Sequence, residues 1–225
     1  MRFAQFILFA LLVGSVVGQT PPVSKVDTSA VWNVTPQFLA TAPEACAKAP
    51  KSDNGECLLG QMKKAGAPAA AVNFTRDLYK QSHGDFGVLT GFHAAPPVAV
   101  AFIDYPLRAN TNHGLLLVNG KPPIVNVEDT NLLDKKTMEQ SSQFQNLKAQ
   151  FPKIDVWPGD RDGQTWPDSQ PGPNGQTQFT VGYPLINGCH ACERGGFAIF
   201  TWNFASDGKF LGTSFAGMTP PPLKH

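Results

Sequence analysis

The spacing of apolar residues changes once along this chain, and that change constrains the fold more than any other feature. Up to about residue 82 the apolar positions recur at intervals of three and four; from Phe86 onward they tend to alternate. A period near 3.6 lays a stripe along a helix, whereas a period of two lays a face on a strand. Helices therefore come first and strands follow. Thr35 can cap a first helix, Pro36 fits its opening turn, and Phe38, Leu39, Ala42 and Ala45 share a side as far as about Ala49. The pattern returns in GECLLGQMKKAG, which Gly66 can terminate, and again in APAAAVNFTRDLYKQ.

Beyond Phe86 the runs GVLTGFH, VAVAFIDYPL, GLLLVNG and PIVNVED read as strands, with AAPP and NGKPP as turns between them. Thr130 to Phe151 suggests one amphipathic helix carrying Leu132, Leu133, Phe144, Leu147 and Phe151. KIDVW is a short strand, and PGDRDGQTWPDSQPGPNGQ reads as a loop of a length usually reserved for function or mobility. Three strands close the chain: QTQFTVGYPLI, GGFAIFTWNF and GKFLGTSFAG, the last two joined through Asp207-Gly208, a strong hairpin signal. Phe200, Trp202 and Phe204 share one face, whose expected use is core packing.

Helices followed by strands without a βαβ rhythm mean an α+β fold, with short N-terminal helices, a mainly antiparallel β-sheet and one packed helix. The expected organisation is a signal peptide over residues 1–18, an extended arm over 19–34, one domain over 35–217 and a tail over 218–225. Within the domain, 35–82 form the helical part and 86–217 the sheet part. The leader MRFAQFILFALLVGSVVG has one cation, Arg2, before an apolar run, and small residues near its end, which is the pattern of a secretory signal. The expected location is secreted or periplasmic. No later run reaches the roughly 20 apolar residues a membrane-spanning helix needs.

Arg2 is the one charged residue of the leader, so 17 of the 18 Lys and Arg remain after it, against 17 Asp and Glu. Such a balance lacks the basic footprint of a nucleic-acid binder. Four cysteines remain, Cys46, Cys57, Cys189 and Cys192, and an even count in an exported chain favours disulfides. Of the three possible pairings, the two local ones are expected: Cys46 with Cys57, and Cys189 with Cys192.

The stretch NGCHACERGG admits three chemistries. A redox pair normally sits at a helix N-terminus, whose partial positive charge stabilises the attacking thiolate. Here the pair lies between two strands, followed by Glu193, so a structural bridge is favoured. Its ring is so short that little chain entropy is removed, and it would fix geometry more than stability. Cys189, His190 and Cys192 could alternatively hold zinc or copper(I), although a structural zinc site needs a fourth ligand and no second pair stands nearby.

A second cluster is DYPLRANTNHG, where Asp104, Arg108, Asn110, Asn112 and His113 gather at the end of one strand and the start of the next. These groups can donate, accept and titrate, as a ligand mouth requires; a hairpin loop satisfying its own backbone is the plainer reading. Asp160 and Arg161 in the long loop join Asp104, Arg108, Asn112 and His113 as candidate ligand-binding residues. Gly212-Thr213-Ser214-Phe215-Ala216 lacks the last glycine and the helix of a nucleophile elbow. The aspartates of GDRDGQTWPD miss EF-hand spacing. Asn33-Val34-Thr35 and Asn73-Phe74-Thr75 match the glycosylation sequon.

YPLRANTNHGLLLVNGKPPIVNVED, WPGDRDG and YPLINGCHACERGGFAIF resemble blocks of an uncharacterised family of exported bacterial proteins with a C-terminal GCxAC corner, over about residues 43 to 217. The resemblance implies a bacterial, exported, single-domain protein and groups the three loops that carry these blocks. It brings no activity.

The function expected from these features is non-catalytic binding of a small molecule, peptide or envelope partner. No residue is assigned a catalytic role, and no cofactor or metal is expected. The alternatives are a thiol-disulfide oxidoreductase or metal-handling protein built on Cys189-His190-Ala191-Cys192, or a hydrolase built on His113 with Asp104.

Overall fold

The computed structural model describes residues 25–48, 50, 54–82, 86–108, 113–158, 167–189 and 191–220. The expected signal peptide, the start of the arm and the last five residues of the tail lie outside the described residues, as do His190, Asn110, Asn112, Asp160 and Arg161.

Three helices come first: α1 (Pro36–Ala47), α2 (Asn54–Lys64) and α3 (Ala69–Gln81). Thr35 caps α1 by accepting the Phe38 N–H at 3.2 Å, and Pro36 occupies the first turn, where a missing N–H costs nothing. α1 and α2 are joined by the Cys46–Cys57 disulfide, with Cα atoms 5.7 Å apart. Phe38, Ala42, Leu58, Leu59 and Met62 pack with Val72, Phe86 and Val88 into one apolar cluster. The arm before α1 takes part in the core as well. Val26 and Ala30 are buried against α3, and Asn119 clamps Val26 through two 2.8 Å bonds, one to its N–H and one to its carbonyl.

The strands divide into two antiparallel sheets. Sheet 1 runs in the order β1 (Val88–Ala95), β2 (Val98–Asp104), β3 (His113–Val118), β4 (Ile124–Asn126). Sheet 2 has β5 (Ile154–Val156), β7 (Thr177–Asn187), β8 (Arg194–Phe204) and β9 (Phe210–Thr219) in that order, with β6 (Asp168–Pro171) also paired to β7. Pro96-Pro97 forms the β1–β2 turn, and cis peptide bonds precede Pro97 and Pro122. The Asp207-Gly208 turn joins β8 to β9 as expected, with Gly208 at φ +81°.

Alternation along β2 explains the layering. Ala99, Ala101, Ile103 and Tyr105 face α3 and the arm, while Val98, Val100 and Phe102 face sheet 2. The second face meets Phe179, Val181, Tyr183 and Leu185 of β7 and Ala198, Phe200, Trp202 and Phe204 of β8. The aromatic face of β8 is thus core: Phe200, Trp202 and Phe204 are fully buried, each contributing about 2 kcal/mol by leaving water. Within this apolar layer, Trp202 Nε1–H donates to the Tyr183 hydroxyl at 3.0 Å, and that hydroxyl donates to the Val127 carbonyl at 2.8 Å.

Two segments differ from the sequence expectation. The segment 130–151 contains a 3-10 turn (Thr130–Leu132) and two short helices, α4 (Lys135–Gln140) and α5 (Ser142–Gln150), in place of one helix. Ser141 breaks it: its backbone is extended, and its Oγ accepts the Phe144 N–H at 3.2 Å, capping α5. Met138 and Phe144 on either side of the break are both buried in the inter-sheet core. The long loop also ends earlier than expected. Its second half is β6, returned to β7 by a turn in which Asn174 and Gly175 take positive φ.

Candidate functional site

The two sheets share a common end. Lys121 in the β3–β4 turn donates its N–H to Gly208 O at 2.8 Å, and Phe210 N–H donates to Lys121 O at 2.9 Å. Gly120 is required there, because a Cβ would stand 2.8 Å from Gly208 O. β2 leaves this contact at Val98 and finishes at Asp104; β7 starts at Thr177, opposite Phe204, and finishes at Asn187. Asp104 and the Cys189–Cys192 corner therefore lie toward the same far end of their sheets.

At that end Asp104 pairs in register with His113 across β2 and β3. Its Oδ1 lies 2.7 Å from His113 Nδ1. The two side chains differ in environment: 12% of the Asp104 side chain is exposed against 64% of His113. A carboxylate so far from water needs a partner. With the proton on Nδ1, His113 supplies one and turns Nε2 outward as a free acceptor. Asp104 continues the row of Val98, Val100 and Phe102, so this pair closes the face that packs on sheet 2.

Arg108 goes elsewhere. Its Nη1 lies 2.6 Å from Glu128 Oε2, and its guanidinium carbon sits 3.5 Å from the centroid of the Tyr105 ring. Tyr105 belongs to the opposite, helix-facing side of sheet 1 and is buried. Gly114 makes room for the ring, since a Cβ there would overlap Tyr105 Cε2. A guanidinium stacked on an aromatic face and paired with a carboxylate is a rigid group. Of the residues singled out from the sequence, the structure thus joins Asp104 to His113 and sends Arg108 across to Glu128.

Glu128 was not among the expected site residues. Its signal is an acid directly after the strand PIVNV, in register with the start of β3: Val127 N–H donates to Leu115 O at 3.2 Å. Glu128 is thereby carried beside Gly114 and within reach of the turn that holds Arg108.

The Cys189–Cys192 disulfide is closed, with Cα atoms 5.1 Å apart, in the turn between β7 and β8. Cys189 is exposed and Cys192 half-buried. Hydrogen bonds hold the corner besides the disulfide. Cys192 N–H donates to Cys189 O at 2.8 Å, and Asn187 N–H donates to Glu193 O at 3.0 Å. The Asn187 side chain donates to Glu193 Oε2 at 3.3 Å and accepts from Lys153 N–H at 3.2 Å. The Glu193 carboxyl is held below its ordinary pKa, first by a bond from its own backbone N–H and then by Asn187. Metal handling by this pair would first require the bond to be reduced. Among the described residues no group of three or more His, Cys, Asp or Glu is placed to hold a metal ion.

Fold and site together define an α+β, disulfide-bearing protein with a polar end on its sheets, and no described helix is long and apolar enough to cross a membrane. No protein-family model, curated protein or solved structure matches the chain.

Proposed function

We propose that this chain is an exported, non-catalytic binding protein whose ligand docks at the far end of sheet 1, against the His113 imidazole. The observation that carries the reading is the exposed His113 ring held by the nearly buried Asp104 at 2.7 Å. A hydrogen bond with one partner so exposed is worth only about 1 kcal/mol to the fold. Its main effect is orientation: it fixes the ring and the tautomer, presenting Nε2 to a hydrogen-bond donor on a small molecule or short peptide. The two disulfides suit an extracellular setting.

The hydrolase alternative shares the Asp104–His113 pair but needs a side-chain nucleophile or a bound water on the imidazole, within a concave site. Among the described residues no serine, threonine or cysteine is hydrogen-bonded to His113, so the covalent form of that alternative has no support, and a water-activating form would be recognised by turnover of an ester or amide that His113→Ala abolishes. The test is a screen of small polar compounds and short peptides by NMR, following the His113 ring protons in the intact protein. Ligands that shift those protons in the wild type, and lose affinity for the His113→Ala variant without loss of fold, support the reading. Ligands that bind equally well to both move the site elsewhere.

A further inference from the structure

We propose that Cys189–Cys192 is a thiol-disulfide exchange site, with the Cys189 sulfur the one attacked. Two observations carry this, and neither depends on the ligand site at His113.

Access comes first. Exchange proceeds by attack of a thiolate on one sulfur, so it requires that sulfur to be reachable. Cys189 is exposed and Cys192 half-buried, whereas in the other disulfide Cys46 is wholly buried and Cys57 half-buried, so only the corner offers an exposed cysteine. Cys189, the more open residue of the corner, is thus the point of entry, and Cys192 is the group that leaves.

Redundancy comes second. A bond that alone held the β7–β8 turn would be a staple, and the fold would resist its opening. Here the turn keeps the Cys192-to-Cys189 and Asn187-to-Glu193 backbone bonds, and Asn187 ties it to both Glu193 and Lys153. None of these contacts passes through sulfur. By linkage, a short ring that adds less stability to the fold than a long one is, by the same amount, less favoured by the fold. The corner can open and close without the sheet noticing.

The local charges are mixed. Glu193 opposes thiolate formation, while Arg194 follows it in sequence and the Lys153 stem lies against Gly188. No helix N-terminus assists, so the pair works through accessibility rather than through a strongly stabilised thiolate.

In the exchange an incoming thiolate forms a bond to Cys189 Sγ as the Cys189–Cys192 bond breaks, and the electron pair leaves on Cys192 Sγ. A second thiolate of the partner then attacks the partner sulfur of this mixed disulfide and releases Cys189 as a thiolate. The partner's two thiols are oxidised to a disulfide, and the corner gains two electrons. The co-reactant is a thiol, and its source is either a small monothiol or a dithiol peptide segment.

The test uses the full, folded chain in graded mixtures of reduced and oxidised glutathione, and separately with a reduced dithiol peptide, followed by acid quench, alkylation and mass-spectrometric assignment. The expected result is free thiols on Cys189 and Cys192, with Cys46–Cys57 still bonded and the circular dichroism unchanged. Opening by glutathione supports exchange with small thiols; opening by the dithiol alone supports a dithiol partner. With oxidised glutathione, whose disulfide the single remaining thiolate attacks with loss of one glutathione thiolate, Cys192→Ser should form the mixed disulfide several-fold faster than Cys189→Ser. A corner that resists both reagents, opens only as the circular dichroism is lost, or forms its adduct faster on Cys192 overturns the proposal.

Discussion

The two disulfides of this molecule sit in opposite settings. Cys46–Cys57 closes a separation of 11 residues between α1 and α2, with Cys46 fully buried and Cys57 half-buried. Cys189–Cys192 closes a separation of 3 residues in an open turn that hydrogen bonds already define. The helical layer has few other long-range ties: α1 and α2 are short, and most of their stability must come from packing rather than from propensity. The β7–β8 corner, by contrast, prolongs a ladder that pairs Thr177 with Phe204 through Ile186 with Arg194. Covalent cross-links matter where chain entropy is large and alternatives are few. The helical bond ties two helices together, and the corner bond adds to a turn that hydrogen bonds already hold.

The largest way to break this comparison is to remove the helical bond. Cys46→Ala with Cys57→Ala should cost about 3 kcal/mol, from the loop it closes and the buried volume lost. Urea unfolding followed by circular dichroism measures it; a cost under about 1 kcal/mol would put the two bonds on the same footing. Next in size is Cys189→Ala with Cys192→Ala, which should cost about 2 kcal/mol at most, because its ring is shorter than the helical one and removes less entropy. Asn187→Ala, which removes the side-chain bonds to Glu193 and Lys153, should cost about 1 kcal/mol. Combining the corner changes in a double-mutant cycle sharpens the point: the two costs should exceed additivity if hydrogen bonds and disulfide substitute for each other. The smallest effect is electrostatic. Glu193 has a lowered folded pKa, so whatever it adds to the corner is present above the ordinary glutamate value and fades as pH falls through the depressed one. A carboxyl NMR titration should find its midpoint below that of a free glutamate, and the shift should vanish in Asn187→Ala only in part, since its own N–H remains.

Much of the fold was legible because it is written locally. Thr35-Pro36 announces a helix start through capping and proline geometry, and Asp207-Gly208 announces a hairpin through a positive φ at glycine. Phe200, Trp202 and Phe204 alternate on one face of β8, and both disulfides join the cysteines nearest to each other in sequence. The division into two sheets was not legible. β4 and β5 are separated by a stretch whose apolar residues serve helices and core alike, and nothing local says that β5 pairs with β7 rather than β4. The break at Ser141 was likewise concealed, because serine is tolerated in helices and becomes a cap only when Phe144 must turn inward.

The candidate site was legible in half. Asp104 and His113 are both strand-end residues, and a hairpin register pairs them directly. Arg108 could not be assigned from its neighbours in sequence, since its partner Glu128 arrives from the far side of β3 and β4. Parity along β2 also hid that the cluster splits: an even-numbered Asp104 faces sheet 2 while Tyr105 faces the helices, so side chains adjacent in sequence serve opposite layers.

The hydroxyl between Trp202 and Val127 has a consequence for how the sheets align. Contact between ring and methyl surfaces is indifferent to small slides, because burial has no direction. Tyr183 makes one alignment distinct. It receives from the indole of one strand in sheet 2 and gives to a main-chain carbonyl attached to sheet 1, and both groups lie where water does not reach. Any shear of one sheet over the other strands a donor and an acceptor together. Tyr183→Phe would leave the apolar surface almost intact and remove the reference mark by which the two layers find their offset.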